Sequence, residues 1–416
     1  MTSGASLRYP KTMNGTTVTV LCDQVGDVGG AERYWETVIP ALRAAGSRVN
    51  VVGRQVSGRY AFGVVATEIA WSSEDEPPST AAAARVSAFL AASRSDVVIT
   101  ASVFDRAVLA AVRAASPRWI ARVHDHRAFC PNGDRVFPQF DAICTAAMGA
   151  GCAVNAVLRG CMHGPRTASL DRLAGRAAVR DLIARADAVL VSSVHMRETV
   201  VRNGIARERV ALTPPPLPED AFCVEAAPSP ARPTLLFAAR LTPQKGLLSL
   251  IRALARIEAG QRPLLIVAGR GDAEERTARE LAARRGVEVE WAGWLTAGAL
   301  RAAIDRSSAV AVPSLWPEPF GLVGSEAQAR GRAAVAYDVG GIREWVGPAG
   351  IVVPRGDEAA LADAIVAIVH PDVWPAYSAA ARRLAERYRL QRHVAHLERL
   401  LDLPGVRAAA TATPAA

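Results

Sequence analysis

Two glutamates, with seven residues between them, stand in a segment that reads SLWPEPFGLVGSEAQARGRAAVAYDVGGIREWV from Ser314 to Val346. Pro319 and Gly321 break the backbone after Glu318, and Glu326 lies in an Ala-rich run that is typical of a helix. Free N–H groups where such a helix begins form an anion site. A carboxylate, a diphosphate-sized anion site and a second carboxylate suit a sugar nucleotide. The alternative is an ordinary strand-loop-helix unit with two solvated glutamates.

Two cations, Arg240 and Lys245, lie at and just after the end of a predicted strand at 234–240. Only a proline-containing loop separates them. Two cations so placed can hold both phosphates of a diphosphate, because arginine offers a planar fork and lysine a point charge. Lys11 is the other lysine of the chain, which makes a lysine at this loop suggestive. A solvated basic loop is the alternative.

A histidine, His124, ends the predicted strand in the segment WIARVHDH and is followed by Asp125 and His126. In an open α/β sheet, ligands bind outside the carboxyl ends of the strands. A histidine there can hydrogen-bond a sugar hydroxyl or handle a proton near neutral pH, and a structural histidine is the alternative. Gly29 and Gly30, between the first strand and helix, let the backbone approach a ligand, or they form a tight turn without one. The dinucleotide fingerprint G-x-G-x-x-G is absent there.

Four of the six cysteines fall in one window, at Cys130, Cys144, Cys152 and Cys161. Their gaps are too wide and uneven for C-x2-C zinc pairs, and a disulfide framework is not expected in a cytoplasmic chain. We therefore interpret them as reduced packing cysteines, with a structural metal site as the alternative. The acidic triplet Glu74–Glu76 is the nearest match to a D-x-D metal element. It sits in a predicted surface loop, and we expect no metal there.

The composition is that of a soluble globular protein. The 416 residues are 50% hydrophobic and 21% charged, which predicts two domains. There is no run of eighteen apolar residues and no signal-peptide pattern at the start, so we expect a cytoplasmic chain. The formal charge is +9, mostly in the first half, which fits phosphate, an anionic lipid surface or nucleic acid, unless it reflects only an Arg-rich composition. No RNA- or DNA-binding signature interleaves aromatic residues with these arginines, so we expect no nucleic-acid partner.

Short apolar strands alternate with helical patterns through both halves of the chain. This alternation predicts an α/β protein with two Rossmann-like, doubly wound parallel-sheet domains and a cleft between them. The predicted organisation is a first domain at 1–216, a Pro-rich linker at 217–233, a second domain at 234–373, helices at 374–402 that pack back toward the first domain, and a disordered tail at 403–416. The Cys- and Gly-rich stretch 126–167 is predicted to be an irregular functional loop or lid.

Four segments, in order along nearly the whole chain, resemble those of the retaining glycosyltransferases of family 4, the glycosyl transferases group 1, which have the GT-B fold. They are VGDVGGAERY, ADAVLVSSVHMRETVVRNGI, AARLTPQKG, and EPFGLVGSEAQARG followed by AVAYDVGGIREWV. The chain departs from the family pattern at Ala239, where a glycine is common. Its VHDH…CP segment resembles only a subset of members, so it stays open whether Asp125 or His126 shares the role of His124.

The resemblance implies a role for each matching residue. Glu318 and His124 would be the catalytic residues and would contact the donor sugar together with Phe320. Groups that bind the donor diphosphate would be Arg240, Lys245, Gly30, Gly321 and Leu322. Groups that bind the ribose and base would be Glu326, Trp294, Leu295 and Arg270.

The predicted function is that of a retaining hexosyltransferase of class EC 2.4. It moves a hexose-type sugar from a nucleoside diphosphate sugar to a hydroxyl acceptor, which is a saccharide, a glycolipid or a small molecule, in polysaccharide or other glycoconjugate synthesis. No cofactor or metal is expected, and the protein is expected in the cytoplasm, with peripheral membrane contact left open. The alternatives are a nucleotide-sugar epimerase of the same fold and a non-catalytic protein that binds sugar nucleotides.

Overall fold

The computed structural model describes residues 15–26, 29–57, 60–61, 63–137, 142–162, 166–222, 228 and 230–402. The predicted tail at 403–416 lies outside the described residues, as do Asp27 and Val28 of the predicted glycine-containing loop. The chain divides into two compact units. The first comprises Met1–Pro216 with Leu390–Ala416, and the second comprises Leu217–Arg389.

The first unit is built on an eight-stranded sheet. Its strands are β1 (Thr17–Val25), β2 (Arg48–Val56), β3 (Tyr60–Ala61), β4 (Val64–Glu68), β5 (Val97–Ala101), β6 (Trp119–Val123), β9 (Ala188–Val191) and β10 (Val210–Leu212). They pair in the order β10-β9-β6-β5-β1-β2-β4-β3, and only the β3–β4 pair is antiparallel. Because helices cover both faces of this sheet, its central strands β5 and β6 are buried along their whole length.

Helices pack against two cores of the first unit. They are α1 (Gly30–Ala44), α2 (Thr80–Ser93), α3 (Arg106–Ala115), α5 (Arg166–Ile183), α6 (Val194–Arg202) and α14 (Leu390–Asp402). One core joins the sheet to α1 and α14. The other joins the sheet to α2, α3, α5 and α6. The alternation of apolar strand and amphipathic helix therefore produces a doubly wound layer structure.

The stretch 126–167 is more ordered than predicted. It contains a two-stranded antiparallel hairpin of β7 (Val136–Phe137) and β8 (Ala142–Ile143), followed by α4 (Ala150–Leu158). The prediction of an irregular loop was wrong here because glycine and cysteine content conceals the helical run AGCAVNAVL.

The second unit contains a six-stranded sheet in which every pair is parallel, in the order β13-β12-β11-β14-β15-β16. Its strands are β11 (Thr234–Ala238), β12 (Leu264–Ala268), β13 (Val289–Gly293), β14 (Ala309–Val312), β15 (Ala333–Tyr337) and β16 (Gly350–Val353). Its helices are α7 (Leu247–Arg256), α8 (Asp272–Arg285), α9 (Ala297–Asp305), α10 (Leu322–Ala329), α11 (Ile342–Val346), α12 (Glu358–Val369) and α13 (Trp374–Ala385). The predicted fold class, an α/β protein with two domains built on parallel sheets, is confirmed.

The helices of the predicted segment 374–402 belong to different units. Helix α14 packs on α1 in the first unit, whereas α13 packs on α10 in the second. Ala380 and Ala381 of α13 are buried against Ala349, which is why the prediction that α13 returns to the first domain was wrong. The predicted linker also belongs to the second unit, where the Leu217 N–H donates to the Tyr388 carbonyl at 2.9 Å.

Within the described ranges, no single helix is long and apolar enough to cross a bilayer. The segments Glu358–Val369 and Trp374–Tyr388 reach that length and hydropathy only when taken together, and they bend by 97° at their break.

A buried polar group joins α14 to α1 in the first unit. The Tyr34 hydroxyl lies 2.9 Å from His393 Nε2, and the Arg122 guanidinium lies over the Tyr34 ring at 3.8 Å. Burial holds the pKa of His393 well below its ordinary value of 6.5, and the charge of Arg122 lowers this pKa further. His393 is therefore neutral in the folded protein at neutral and mildly acidic pH.

This neutral histidine predicts a pH-dependent stability. The unfolded chain protonates His393 below pH 6.5 and the native chain does not, so the free energy of unfolding should fall as the pH falls through this range. We expect His393→Gln, whose amide can still bond the Tyr34 hydroxyl, to reduce that slope by up to about 1.4 kcal/mol per pH unit. Urea unfolding at pH 7.5 and 5.5 measures the difference. Equal slopes in the wild type and the variant would refute a neutral His393.

Candidate active site

The loop that carries Lys245 is pressed against the end of a neighbouring strand. It follows β11 and closes as a short 3-10 turn, after which Gly246 adopts a left-handed φ of +76°. A Cβ on Gly246 would lie 1.9 Å from the Pro313 carbonyl oxygen, so only glycine permits this approach. The Leu315 N–H also donates to the Gln244 carbonyl at 2.8 Å. These backbone contacts bring Lys245 to the segment that follows β14.

Lys245 and Glu318 form a largely buried ion pair. The Lys245 Nζ lies 2.5 Å from Glu318 Oε1, and the Ser314 hydroxyl donates to the same oxygen at 2.7 Å. Burial raises the pKa of the Glu318 carboxyl, but the charge of Lys245 and the hydrogen bonds from Lys245 and Ser314 outweigh it, so the pKa lies below its ordinary value. Glu318 is 5% exposed and ionised at neutral pH.

The backbone of Glu318 is held by two glycines after β15. The Gly341 N–H donates to the Glu318 carbonyl at 2.8 Å. Gly340 has a φ of +58°, and a Cβ there would lie 2.1 Å from the same carbonyl oxygen. The glycine pair thus fixes the position of the carboxylate from the backbone side.

Helix α10 begins at Leu322, directly after this carboxylate. Its N-cap is Gly321, with a φ of +97°, and no side chain caps its first turn. Trp345 packs under this turn. Its Nε1 donates to the Phe320 carbonyl at 2.5 Å, and a Cβ on Gly324 would lie 2.0 Å from its ring. The first-turn amides beside Glu318 are therefore those of an uncapped helix start, which favours an anion.

The remaining predicted residues of the second unit lie at or after strand ends. Glu326 is partly exposed on α10, and Arg240 is exposed just after β11. The Phe320 side chain is buried and packs edge-on against Tyr388 at 5.6 Å, so any ligand contact would use its backbone.

The loops after β12 and β13 form a second cluster. The Arg270 guanidinium lies over the exposed Trp294 ring at 4.7 Å, and Leu295 is the next residue. The Leu241 N–H donates to the Arg270 carbonyl at 2.8 Å, which joins the Arg240 loop to the Arg270 loop. The structure thus brings together Lys245 with Glu318, and Arg270 with Trp294.

His124 of the first unit follows β6 and lies against α1, the helix that begins at Gly30. Its ring meets Tyr34 and Trp35 edge-on, with centroid distances of 5.5 and 6.3 Å. Its Nε2 is buried and has no hydrogen-bond partner in the part of the chain that the structure describes. Burial, together with the charges of Arg122 and Arg127, holds the pKa of His124 well below 6.5. A neutral imidazole can accept or donate a hydrogen bond but supplies no positive charge.

The two residues that follow His124, Asp125 and His126, make contacts within the first unit. Asp125 accepts hydrogen bonds from the backbone N–H and the Nε of Arg127 at 2.9 and 2.8 Å. His126 is fully buried, with its ring edge-on to His195 at 5.6 Å. Both are therefore engaged inside the first unit.

The acidic triplet belongs to an arginine network. Glu74 pairs with Arg127 at 3.3 Å and with Arg176 at 3.1 Å, and Asp75 lies 3.5 Å from Arg172. The four clustered cysteines are free thiols. Burial, together with the charge of the three other cysteines, raises the pKa of Cys161 to about 11. No group of three or more His, Cys, Asp or Glu side chains among the described residues could hold a metal ion. The described residues thus give no support to the alternative of a structural metal site.

Three residues that shape the carboxylate site were not singled out from the sequence. They are Ser314, Gly340 and Trp345, which contact Glu318 or the turn after it. The segment DVGGIREWV contains two of them, and its glycine pair after a strand was the available signal for a close backbone approach. No feature of the sequence pointed to Ser314, because its role depends on the direction in which the Glu318 side chain points in the folded protein.

Comparisons with solved structures agree on the fold. A glycosyltransferase from Rickettsia africae superposes with a TM-score of 0.71 at 16% identity, covering 93% of this chain and 98% of that one. HepE from Anabaena, solved in complex with UDP-glucose, gives a TM-score of 0.67 at 18% identity over 93% of this chain and 100% of its own. At these identities the likeness concerns the fold alone.

Curated relatives share parts of the sequence. The phosphatidyl-myo-inositol mannosyltransferase of Mycobacterium leprae is 35% identical over 160 residues, which is 37% of this chain and 42% of that protein. The alpha-maltose-1-phosphate synthase of Mycobacterium tuberculosis is 35% identical over 184 residues, which is 41% of this chain and 47% of that protein. The chain thus spans about half the length of the curated relatives it matches.

Two family descriptions match consecutive parts of the chain. Residues 29–216 match the glycosyl transferase 4-like domain, and residues 232–370 match the glycosyl transferases group 1. The first match ends at Pro216, the last residue of the N-terminal part of the first unit, and the second contains Lys245, Glu318 and Glu326. The chain belongs to the group 1 glycosyl transferases, with a glycosyl transferase 4-like first domain.

Proposed function

We propose that this protein transfers a hexose-type sugar from a nucleoside diphosphate sugar to a hydroxyl acceptor, with retention of anomeric configuration. The observation that carries the proposal is the buried Lys245–Glu318 pair next to the uncapped start of α10. It combines a cation, a carboxylate and an anion site at the ends of parallel strands. The sugar-transferring relatives and the UDP-glucose complex of HepE support a sugar nucleotide as the donor.

The donor diphosphate would bind to the second unit. Lys245 has three N–H donors, and its side chain is 19% exposed, so it can bond a phosphate while it stays near Glu318. Arg240 is exposed in the loop just after β11 and would supply the second cation. The first-turn amides of α10, with Gly321 and Leu322, would complete the site. Together they would stabilise the negative charge that develops on the leaving diphosphate.

The sugar and nucleoside would be held by groups on either side of this anion site. Ionised Glu318 is an acceptor, so it suits the hydroxyls of the transferred sugar. Glu326, four residues into α10, would accept from the ribose hydroxyls. The Arg270–Trp294 pair, with Leu295, would provide the planar surface for the base.

The first unit would contribute neutral groups. His124 would hydrogen-bond the donor sugar as a neutral imidazole, and Gly30 would let the backbone approach the phosphate. As the bond between the anomeric carbon and the phosphate oxygen breaks, the electron pair goes to the phosphate. The acceptor oxygen bonds the same face of that carbon, and its proton passes to the leaving phosphate. No metal or cofactor takes part in this scheme.

The acceptor would be a saccharide, a glycolipid or a small molecule, in the synthesis of cell-surface polysaccharide or another glycoconjugate. A lipid-linked acceptor would suit the basic first half of the chain. The reaction would take place in the cytoplasm, at or near the inner face of the membrane.

A donor screen tests the substrate class. One of the UDP-, GDP- or ADP-sugars should raise the melting temperature, because a ligand at a hundredfold excess over Kd stabilises the native state by about 2.7 kcal/mol. Incubation with that donor alone should leave the sugar unchanged or slowly hydrolysed. Conversion to an epimer would instead identify an epimerase, and a screen without any stabilising donor would contradict the proposal.

Glu318→Gln tests the sugar-binding carboxylate. The amide keeps the size of the side chain but not its charge, so we expect release of nucleoside diphosphate to fall by about a hundredfold. Glu358→Gln is the matched control, because Glu358 also accepts from a serine and a cation, Ser249 at 3.1 Å and Arg252 at 2.6 Å. The control should keep wild-type turnover. A similar turnover in the two variants would remove Glu318 from the site.

Gly340→Ala tests whether the backbone contact positions Glu318. Gly356→Ala is the control, since Gly356 also has a positive φ, +75°, but its Cβ would meet open space. Both substitutions should cost about 1–2 kcal/mol for the left-handed conformation. The clash with Glu318 should cost Gly340→Ala a further ~1–3 kcal/mol and also reduce turnover. Equal melting temperatures and equal activity would show that the contact is not needed.

A further inference from the structure

An apolar patch is exposed on α4, in the hairpin-and-helix insertion of the first unit. Seven large hydrophobic side chains are exposed in the described part of the chain, and four of them lie here. Val154, Val157 and Leu158, at one-turn spacing on one face of α4, are 56%, 58% and 69% exposed, and Leu170 on the adjacent α5 is 53% exposed. We name these four residues the α4 patch.

Helix α4 has no buried side chain. Apolar residues on a surface helix normally face the core, and here the same residue types face solvent. The other large exposed hydrophobics, such as Val65, stand singly and need no partner. Within the described ranges of the chain, the α4 patch is therefore an unpartnered surface and not scattered apolar exposure.

The surroundings of the patch carry positive charge. From Ala142 to Leu170 the chain has two arginines and no Asp or Glu, with Asp141 just before this segment and Asp171 just after it. Arg159 is exposed at the end of α4, where its guanidinium lies over Phe137 at 4.8 Å. Exposed Arg202 donates to the Thr145 carbonyl at 2.7 Å and adds a further guanidinium to this segment.

We propose that the α4 patch is the surface by which this protein binds an anionic lipid bilayer. Its three aliphatic side chains on α4 would enter the boundary between headgroups and acyl chains, and Arg159 and Arg202 would meet lipid phosphates. Four side chains cover far less than the roughly 800 Å² per partner that a stable dimer buries, which disfavours a second copy as the occupant. None of the four residues is assigned to the donor site, so the donor screen and the substitution of Glu318 test the proposed reaction separately from this inference.

Vesicle flotation of the full chain tests this inference. The protein should float with vesicles of phosphatidylcholine and phosphatidylglycerol at low salt, and less with phosphatidylcholine alone. The double substitution Val157→Asp and Leu158→Asp should lower the bound fraction by about tenfold or more, because charges replace the inserted side chains. Val65→Asp is the matched control, since Val65 is 65% exposed but stands alone, and it should bind like the wild type.

A charge variant separates the electrostatic contribution to bilayer binding from the contribution of the inserted apolar side chains. Arg159→Gln should weaken binding to anionic vesicles by about fivefold at low salt and by less at high salt. Circular dichroism and thermal unfolding confirm that each variant is folded. The inference is overturned by absence of flotation at low salt, by wild-type binding of the double variant, or by a dimer in light scattering that this double variant dissociates.

Discussion

The buried charge of Glu318 is the constraint on which the ligand end of the second unit depends. An ionised carboxylate removed from water is costly unless a cation and hydrogen-bond donors compensate it. Lys245 and Ser314 provide that compensation, and Lys245 belongs to a different strand-loop unit. The loops after β11 and β14 must therefore touch, which requires Gly246 to pass within contact of the Pro313 carbonyl.

Close backbone packing extends this constraint along the sheet. A Cβ on Gly269 would lie 2.0 Å from the Ala239 carbonyl oxygen, and one on Gly271 would lie 2.1 Å from that of Leu241. Neighbouring loops at the carboxyl ends of β11 and β12 are thus locked together through glycines, as the loops around Glu318 are through Gly340. A site built in this way has its charged groups in place before a ligand arrives, so little of the binding energy is lost in ordering them.

The first unit offers different chemistry. Burial lowers the pKa values of His124 and His393, so both imidazoles are neutral, and the nearby guanidinium of Arg122 bonds the hydroxyl and carbonyl of Thr213. Neutral imidazoles hydrogen-bond hydroxyls without attracting phosphate strongly. Exposed Arg159 and Arg202 instead lie at the end of α4 and at the segment before it, close to its apolar side chains. Polar recognition and the proposed lipid contact therefore occupy different elements of one unit.

The sequence by itself determined the two α/β domains, because alternating apolar strands and helical runs are properties of each segment and leave few ways to bury their faces. It also determined the family, through motifs around Arg240, Lys245, Glu318 and Glu326. Only the tertiary structure decided that Lys245 pairs with Glu318, 73 positions away, that α13 and α14 belong to different units, and that α4 leaves its apolar face exposed. These outcomes depend on which surfaces meet after the chain has packed, and neither periodicity nor local propensity contains that information.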